Sequence, residues 1–324
     1  MSSTAKLLVT AGGARVGTVG GGCLGAEIIE RALDVIERRV PAVSEHTLNA
    51  ELAGDYGLTC GGTATMVIEP IYPDPVLAAV WRECAALLAR GEAGTMVTGL
   101  DWSDGPAKGL IASGVRITSA HADVAAALDE AAGSKRLPEL PVLGQSLFVE
   151  PVSAPPRLIV FGGGHVGAKV GEAAAFAGWR VTVVDDRPEY ADSARLSFAE
   201  RTVVCDWHDL PATLGVDEST YVVVCTRGHQ HDATIVEQLG RRDLRYLGML
   251  GSRRKVALTW KLLERAGVPR ERLEAIHAPV GLAIGADTPA EIGISVVAEM
   301  IAVRRAASTV AGRRESVGEE TAAL

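Results

Sequence analysis

Arg157-Leu158-Ile159-Val160-Phe161-Gly162-Gly163-Gly164-His165-Val166-Gly167 is the stretch on which the fold turns. An apolar run with the shape of a buried parallel strand meets glycines spaced G-x-G-x-x-G (Gly162, Gly164, Gly167), and a helix-forming segment follows. A second apolar run, Val181 to Val184, ends in Asp185-Asp186. Strand, glycine turn, helix, strand and acid in that order form the dinucleotide-binding fingerprint. Its glycines make a tight turn and let backbone N–H groups approach a pyrophosphate at the helix N-terminus. Asp185, closing the second strand, is expected to accept hydrogen bonds from ribose hydroxyls. The motif lies mid-chain, so a further domain occupies the first half.

The 324 residues suggest about two domains. An apolar content of 48% and a mean hydropathy of +0.19 describe a globular protein with ample core. The net charge of −8 and pI near 5.5 argue against a general nucleic-acid binder, and 4% aromatics argue against base-stacking platforms. No apolar segment approaches the ~20 residues of a membrane span. Met1 to Lys6 lacks the charged and long apolar regions of a signal peptide. Five widely spaced cysteines do not form a disulfide framework, which points to the cytoplasm.

Working outward from the glycines, the βα alternation towards the C-terminus is regular. Strands are expected at 157–161, 180–184, 202–205, 220–225 and 244–249, with helices after most of them. This predicts an α/β, doubly wound parallel (Rossmann-like) sheet over 157–305. Thr288-Pro289-Ala290-Glu291 joins a capping box to a proline at N1 and opens the last helix. Beyond Arg305, residues 306–324 read as a flexible tail. Towards the N-terminus, the prolines of 151–156 read as a linker. Residues 1–150 read as a smaller α+β domain. A hairpin is expected around Ala11-Gly12-Gly13, with helices at 24–38, 75–90 and 123–131 and strands at 43–48, 65–71, 95–100, 111–118 and 146–149.

In a doubly wound sheet, ligands bind at the carboxyl ends of the strands. The polar residues of the second half collect there. Gly251-Ser252-Arg253-Arg254-Lys255 combines a glycine turn, a helix start and three cations, which suits a phosphate or another anion. A merely solvated first turn would set those cations against the helix macrodipole. Thr226-Arg227-Gly228-His229-Gln230-His231-Asp232 follows the fourth strand. Its two histidines invite a metal, but a complete zinc site needs three or four ligands. Ligand positioning or loop structure is the preferred reading, with Asp232 serving as an N-cap. His165, at the glycine loop, meets a bound anion or packs the helix start. Cys23 and Cys60 stand beside paired or tripled glycines, and Cys23 opens a helix, where the dipole favours thiolate. The alternative is a small buried hydrophobe, which is how Cys84, Cys205 and Cys225 read.

Together these segments resemble the XdhC/CoxI family of xanthine dehydrogenase accessory proteins. The likeness is carried by 19–24 and 57–62 in the first half. In the second half it is carried by Gly162 to Gly167 with His165, Val184 to Arg187, Thr226 to Asp232, Gly248 to Lys255 and Ala278 to Gly285. Gly25 departs from the glutamate usual in that family, and the strand, helix and serine-rich turn expected upstream of Lys6 imply a first domain shortened at its start. The resemblance implies a maturation chaperone rather than a catalyst. Such a protein binds molybdenum cofactor in its molybdopterin form and passes it, after sulfuration, to a molybdenum hydroxylase client, with a sulfur donor as second partner. No nucleic acid or membrane enters, and an oligomer is open. The cofactor-binding residues would be Gly162, Gly164, His165, Gly167, Asp185, Arg227, His229, Ser252, Arg253, Arg254 and Lys255, with Cys23 or Cys60 contacting molybdenum or its sulfur. The competing readings are an NAD(P)-dependent oxidoreductase, for which His229 and Lys255 are the available acid–base groups, and a nucleotide-sensing module without chemistry.

Overall fold

The structure, a computed structural model, describes residues 5–19, 23–48, 62–112, 114–133 and 141–319. The chain divides into two compact units, Met1–Ala154 and Pro155–Leu324. In the first unit, β1 (Leu7–Val9) and β2 (Arg15–Gly17) form the expected hairpin, and α1 (Cys23–Arg38) follows. A second antiparallel pair joins β3 (Ala42–Leu48) to β4 (Gly62–Ile68). The rest is an antiparallel sheet in the order β7-β6-β5-β9-β8, made of β5 (Ala93–Gly99), β6 (Lys108–Ala112), β7 (Val115–Thr118), β8 (Val142–Leu143) and β9 (Leu147–Ser153). Helix α2 (Pro75–Arg90) packs on it and is well delimited. Asp74 accepts from the Val76 and Leu77 amides, proline sits in the first turn, and Gly91 ends the helix at φ 76°. Helix α3 (Ala122–Gly133) packs its Val124 and Leu128 against Val97 and Ala107.

Three expectations change here. The run 111–118 is two strands, because Gly114 turns the chain at φ 82°. Strand β8 is an addition to the expected elements. Pro151 to Ser153 belong to β9, opposite Thr95 to Ala93, so that part of the expected linker is sheet.

The second unit is the doubly wound half. Five parallel strands run in the order β12-β11-β10-β13-β14: β10 (Arg157–Phe161), β11 (Arg180–Asp185), β12 (Arg201–Val204), β13 (Tyr221–Val224) and β14 (Tyr246–Met249). Side chains alternate across the sheet with period two. Ile159, Phe161, Val222 and Val224 meet α5 (His229–Leu239) and α6 (Arg253–Arg265) through Ile235, Val236, Val256, Trp260 and Leu263. Leu158, Val160, Val181, Val183 and Val223 meet α4 (His165–Phe176) and α8 (Pro289–Glu319) through Val170, Ala174, Val296 and Met300. At about 25 cal/mol per Å² of apolar surface, these two faces dominate the unit's stabilisation. The short α7 (Arg270–Glu274) leads to residues 277–280, which hydrogen-bond along β14.

Helix α8 starts with the expected reciprocal box: Glu291 accepts from the Asp287 and Thr288 amides, and Thr288 accepts from the Glu291 amide. It runs past Arg305 to Glu319, where composition predicts a tail.

Candidate functional site

Strand order reverses beside β10, with β11 on one side and β13 on the other, which places the crevice of an open parallel sheet at their carboxyl ends. The glycine loop fills that position, and its glycines serve different ends. Gly162 takes φ 111°, and a β-carbon there would sit 2.4 Å from the Cys225 carbonyl oxygen. Gly167 lets α4 close on the loop, since its β-carbon would lie 1.8 Å from the Gly162 oxygen. Gly163, outside the spacing rule, is equally constrained by the Tyr190 oxygen at 2.0 Å. Gly164 differs: a β-carbon there meets nothing within 4 Å. It is the N-cap of the helix and has no side chain to cap it. The start of α4 thus has open space at Gly164 and an exposed His165, and its first-turn amides lack intrahelical partners, a combination that suits an anion.

The acid expected to read ribose does something else. Asp185 is 1% exposed. Its oxygens accept from the Gly163 amide at 2.8 Å and from the Arg187 amide and guanidinium at 3.0–3.2 Å. Burial works to raise its carboxyl, but the bonds from Arg187 and Gly163 outweigh it and hold the group below the usual carboxylate range. Asp185 is a brace for the loop, and its ribose role is corrected on that ground. Arg195 completes the brace by donating to the Gly163 and Tyr190 carbonyls, and Arg187 lies 3.6 Å over the Tyr190 ring.

The segment after β13 is also rearranged. Gly228 caps α5, so His229 to Asp232 are its first turn, not a loop. Residues i and i+2 do not share a helix face, which separates the two histidines. His229 is exposed, while His231 lies against Trp207. Asp232, fully buried, is no N-cap either: it accepts from the Thr226 amide at 3.0 Å and hydroxyl at 2.7 Å. Its second oxygen pairs with Lys255 Nζ at 2.5 Å, and Lys255 also donates to the Leu250 carbonyl. Lys255, expected on a ligand, is thus an internal tie between the β13 and β14 loops. Among the expected cations, Arg227 pairs with Asp186 at 2.8 Å, and Arg253 and Arg254 stand exposed in the first turn of α6, which Ser252 caps through the Lys255 amide.

The thiols of this unit are poor ligands. Burial pushes Cys205 up to about 11, and burial with the Asp232 and Asp185 charges pushes Cys225 higher still. Both remain protonated at neutral pH. Cys23 opens α1 in the first unit as expected, and Cys60 lies outside the described residues, as do Gly20 to Gly22. Sequence reasoning missed Gly163, Arg195 and the Asp232–Lys255 tie. Only the run of three glycines, where the pattern asks for two, pointed to the first of these.

Comparison with known proteins matches both halves of the chain. Residues 158–300 match the XdhC Rossmann domain, and residues 2–46 match the XdhC and CoxI family. The chain is 26% identical over 325 residues to a probable xanthine dehydrogenase subunit of Bacillus subtilis (strain 168), covering 94% of this chain and 89% of that one. It is 34% identical over 165 residues to the uncharacterized protein YqeB of Escherichia coli (strain K12), covering 49% of this chain and 29% of YqeB. A crystal structure described as a xanthine dehydrogenase from Bacillus halodurans superposes with a TM-score of 0.76 at 26% identity, over 93% of this chain and 86% of that one.

Proposed function

Because the chain belongs to the XdhC/CoxI family, we propose that it is an accessory protein of a xanthine dehydrogenase-type molybdenum hydroxylase, one that binds molybdenum cofactor and delivers it to the enzyme after sulfuration. The observation that carries the reading is the open face at Gly164 beside the constrained Gly162, Gly163 and Gly167. This loop is braced for backbone donation to an anion, and Arg253 and Arg254 stand at the same carboxyl edge. A molybdopterin ends in a phosphate, so the donor set suits that end of the cofactor. When bound, the cofactor supplies the molybdenum centre that the client needs. The chain's own residues hold its phosphate and keep the loop in shape. A soft thiolate suits contact with molybdenum or its sulfur ligand, a role this reading gives to Cys23 or Cys60. A sulfur donor and the client are the partners it implies, in the cytoplasm, and self-association is compatible with it.

The oxidoreductase reading is weaker on geometry. Of the two acid–base groups open to that reading, Lys255 is bound to Asp232 and the Leu250 carbonyl, so His229, exposed at the start of α5, would have to carry the proton alone.

Mass spectrometry of the small molecules released when the purified chain is denatured tests the proposal. A phosphorylated pterin in near-stoichiometric amount is expected. A nicotinamide nucleotide in its place would overturn the accessory reading. Retention of the pterin by both Cys23→Ala and Cys60→Ala would remove the thiol role alone.

A further inference from the structure

Helix α6 bears apolar residues on two opposite faces, and the fold uses one of them. Val256, Trp260 and Leu263 belong to the core of the second unit. Arg254, Leu258, Lys261, Leu262 and Arg265 recur at i, i+4, i+7, i+8 and i+11, so they share the outer face over about 16 Å of helix. Leu258 is 52% and Leu262 45% exposed, on the side where a surface helix normally carries polar residues. Arg254, Lys261 and Arg265 are exposed too and pair with no acid among the described residues. Nearby cations differ: Arg270 is held by Glu264 and Glu274, and Arg272 by Asp243. Beside the stripe, a groove of about 460 Å³ opens between α6, the start of α7 and residues 278–279, with Val256, Trp260, Lys261, Ala278 and Pro279 in its walls. Lys261 belongs to both stripe and groove.

We propose that this face docks an acidic amphipathic helix of another protein. The partner's apolar side chains cover Leu258 and Leu262 and enter the groove, and its carboxylates meet Lys261 and Arg265. The inference rests on the accessory reading, which supplies the partner: the molybdenum hydroxylase that receives the cofactor. Charge and geometry select this occupant over the others. Unpaired cations beside exposed leucines complement carboxylates beside apolar side chains. A second copy of this chain in a two-fold contact would set the three cations of the stripe against the same three cations. An anionic bilayer takes the main apolar face of an amphipathic helix, and that face of α6 is committed to the core. The net charge of −8 also opposes a broad anionic surface, whereas one acidic helix meets only the stripe. The stripe begins at Arg254, at the carboxyl edge that the proposed function gives to the cofactor, so a partner seated along it lies next to the cargo.

Biolayer interferometry of the full chain against the molybdenum hydroxylase of the same organism, isolated without its cofactor, tests this, with pterin content and melting temperature recorded alongside. Two double variants are compared with the unaltered chain: Leu258→Glu with Leu262→Glu, and Lys261→Glu with Arg265→Glu. All four positions are exposed, so both variants should fold and keep the parent's pterin content. Each is expected to bind the hydroxylase about tenfold or more weakly. Raising the salt from about 50 to about 500 mM should weaken binding of the unaltered chain more than that of the Lys261 and Arg265 variant. Parental affinity in both variants overturns the docking face and leaves the accessory reading standing. Failure of the unaltered chain to bind the hydroxylase overturns the docking face, and the accessory reading falls with it if no pterin is retained. Flotation on phosphatidylglycerol vesicles, or self-association in sedimentation, that either variant abolishes would assign the face to a bilayer or to a second copy and overturn the proposal.

Discussion

Two rows of polar residues line the carboxyl edge of the second unit's sheet, and they differ in where their hydrogen bonds go. In the inner row, Asp185 and Asp232 are buried, and their bonds run to the loop backbone, a hydroxyl or a neighbouring cation. In the outer row, Gly164 faces open space, and His165, Arg253 and Arg254 are exposed. Both rows come from the same sequence segments, and together they hold the glycine, acid and cation expected of a binding site. The inner row fixes the shape of a cradle, and the outer row is free to meet a guest. Substitutions in the inner row should therefore cost folding, and those in the outer row should cost binding.

The largest effect is expected at Asp232. Asp232→Ala leaves Lys255 without its counter-charge and the Thr226 amide without an acceptor. The loss should fall near the low end of the range for breaking a buried pair, about 3 kcal/mol, because Lys255 is 27% exposed and regains some solvent. Urea unfolding measures it, and a loss under about 1 kcal/mol would mean that the tie is not structural. Next is Gly167→Ala, whose β-carbon must displace the Gly162 carbonyl. About 2 kcal/mol is expected from the same measurement. Gly164→Ala, three residues away, should cost no more than about 1 kcal/mol, the difference between glycine and alanine at an N-cap.

Asp185 sharpens the comparison through pH. Its carboxyl is held below the ordinary value of about 3.9, so its contribution to stability is complete above that value and is lost as pH falls through the lower, folded-state value. Asp185→Asn should lower stability at pH 7 by about 1–2 kcal/mol and flatten the dependence below pH 4. An unchanged acid limb in the variant would remove Asp185 from the brace. The smallest effect on folding is expected for Arg253→Ala with Arg254→Ala, within about 0.5 kcal/mol by thermal melting. The same pair should weaken pyrophosphate binding by about tenfold or more.

How far the sequence could disclose this follows from the range of each interaction. The strand, glycine loop, helix, strand and acid between Arg157 and Asp185 form one contiguous unit, so its pattern announces the parallel sheet directly. The box at Thr288 to Glu291 is local in the same way. The use of Asp185 against Gly163, and of Asp232 against Lys255, joins segments more than twenty residues apart. No local pattern distinguishes such a brace from a ligand contact. The same limit hid Lys108, fully buried on β6 against Glu69 and Thr98, which in sequence reads as an ordinary charged strand residue. Two-residue β8 is too short for any periodicity to register.

The division into a bracing row and a binding row, with molybdenum cofactor as the guest, is tested most directly at Gly164. The measurement is the amount of phosphorylated pterin released on denaturation from Gly164→Ala and from the unaltered chain, with melting temperatures recorded for both. The variant should melt within a few degrees of the parent and carry a pterin content reduced about tenfold or more, because the new methyl group would enter the open space that the proposal gives to the phosphate. Full pterin retention in a well-folded variant would contradict that division.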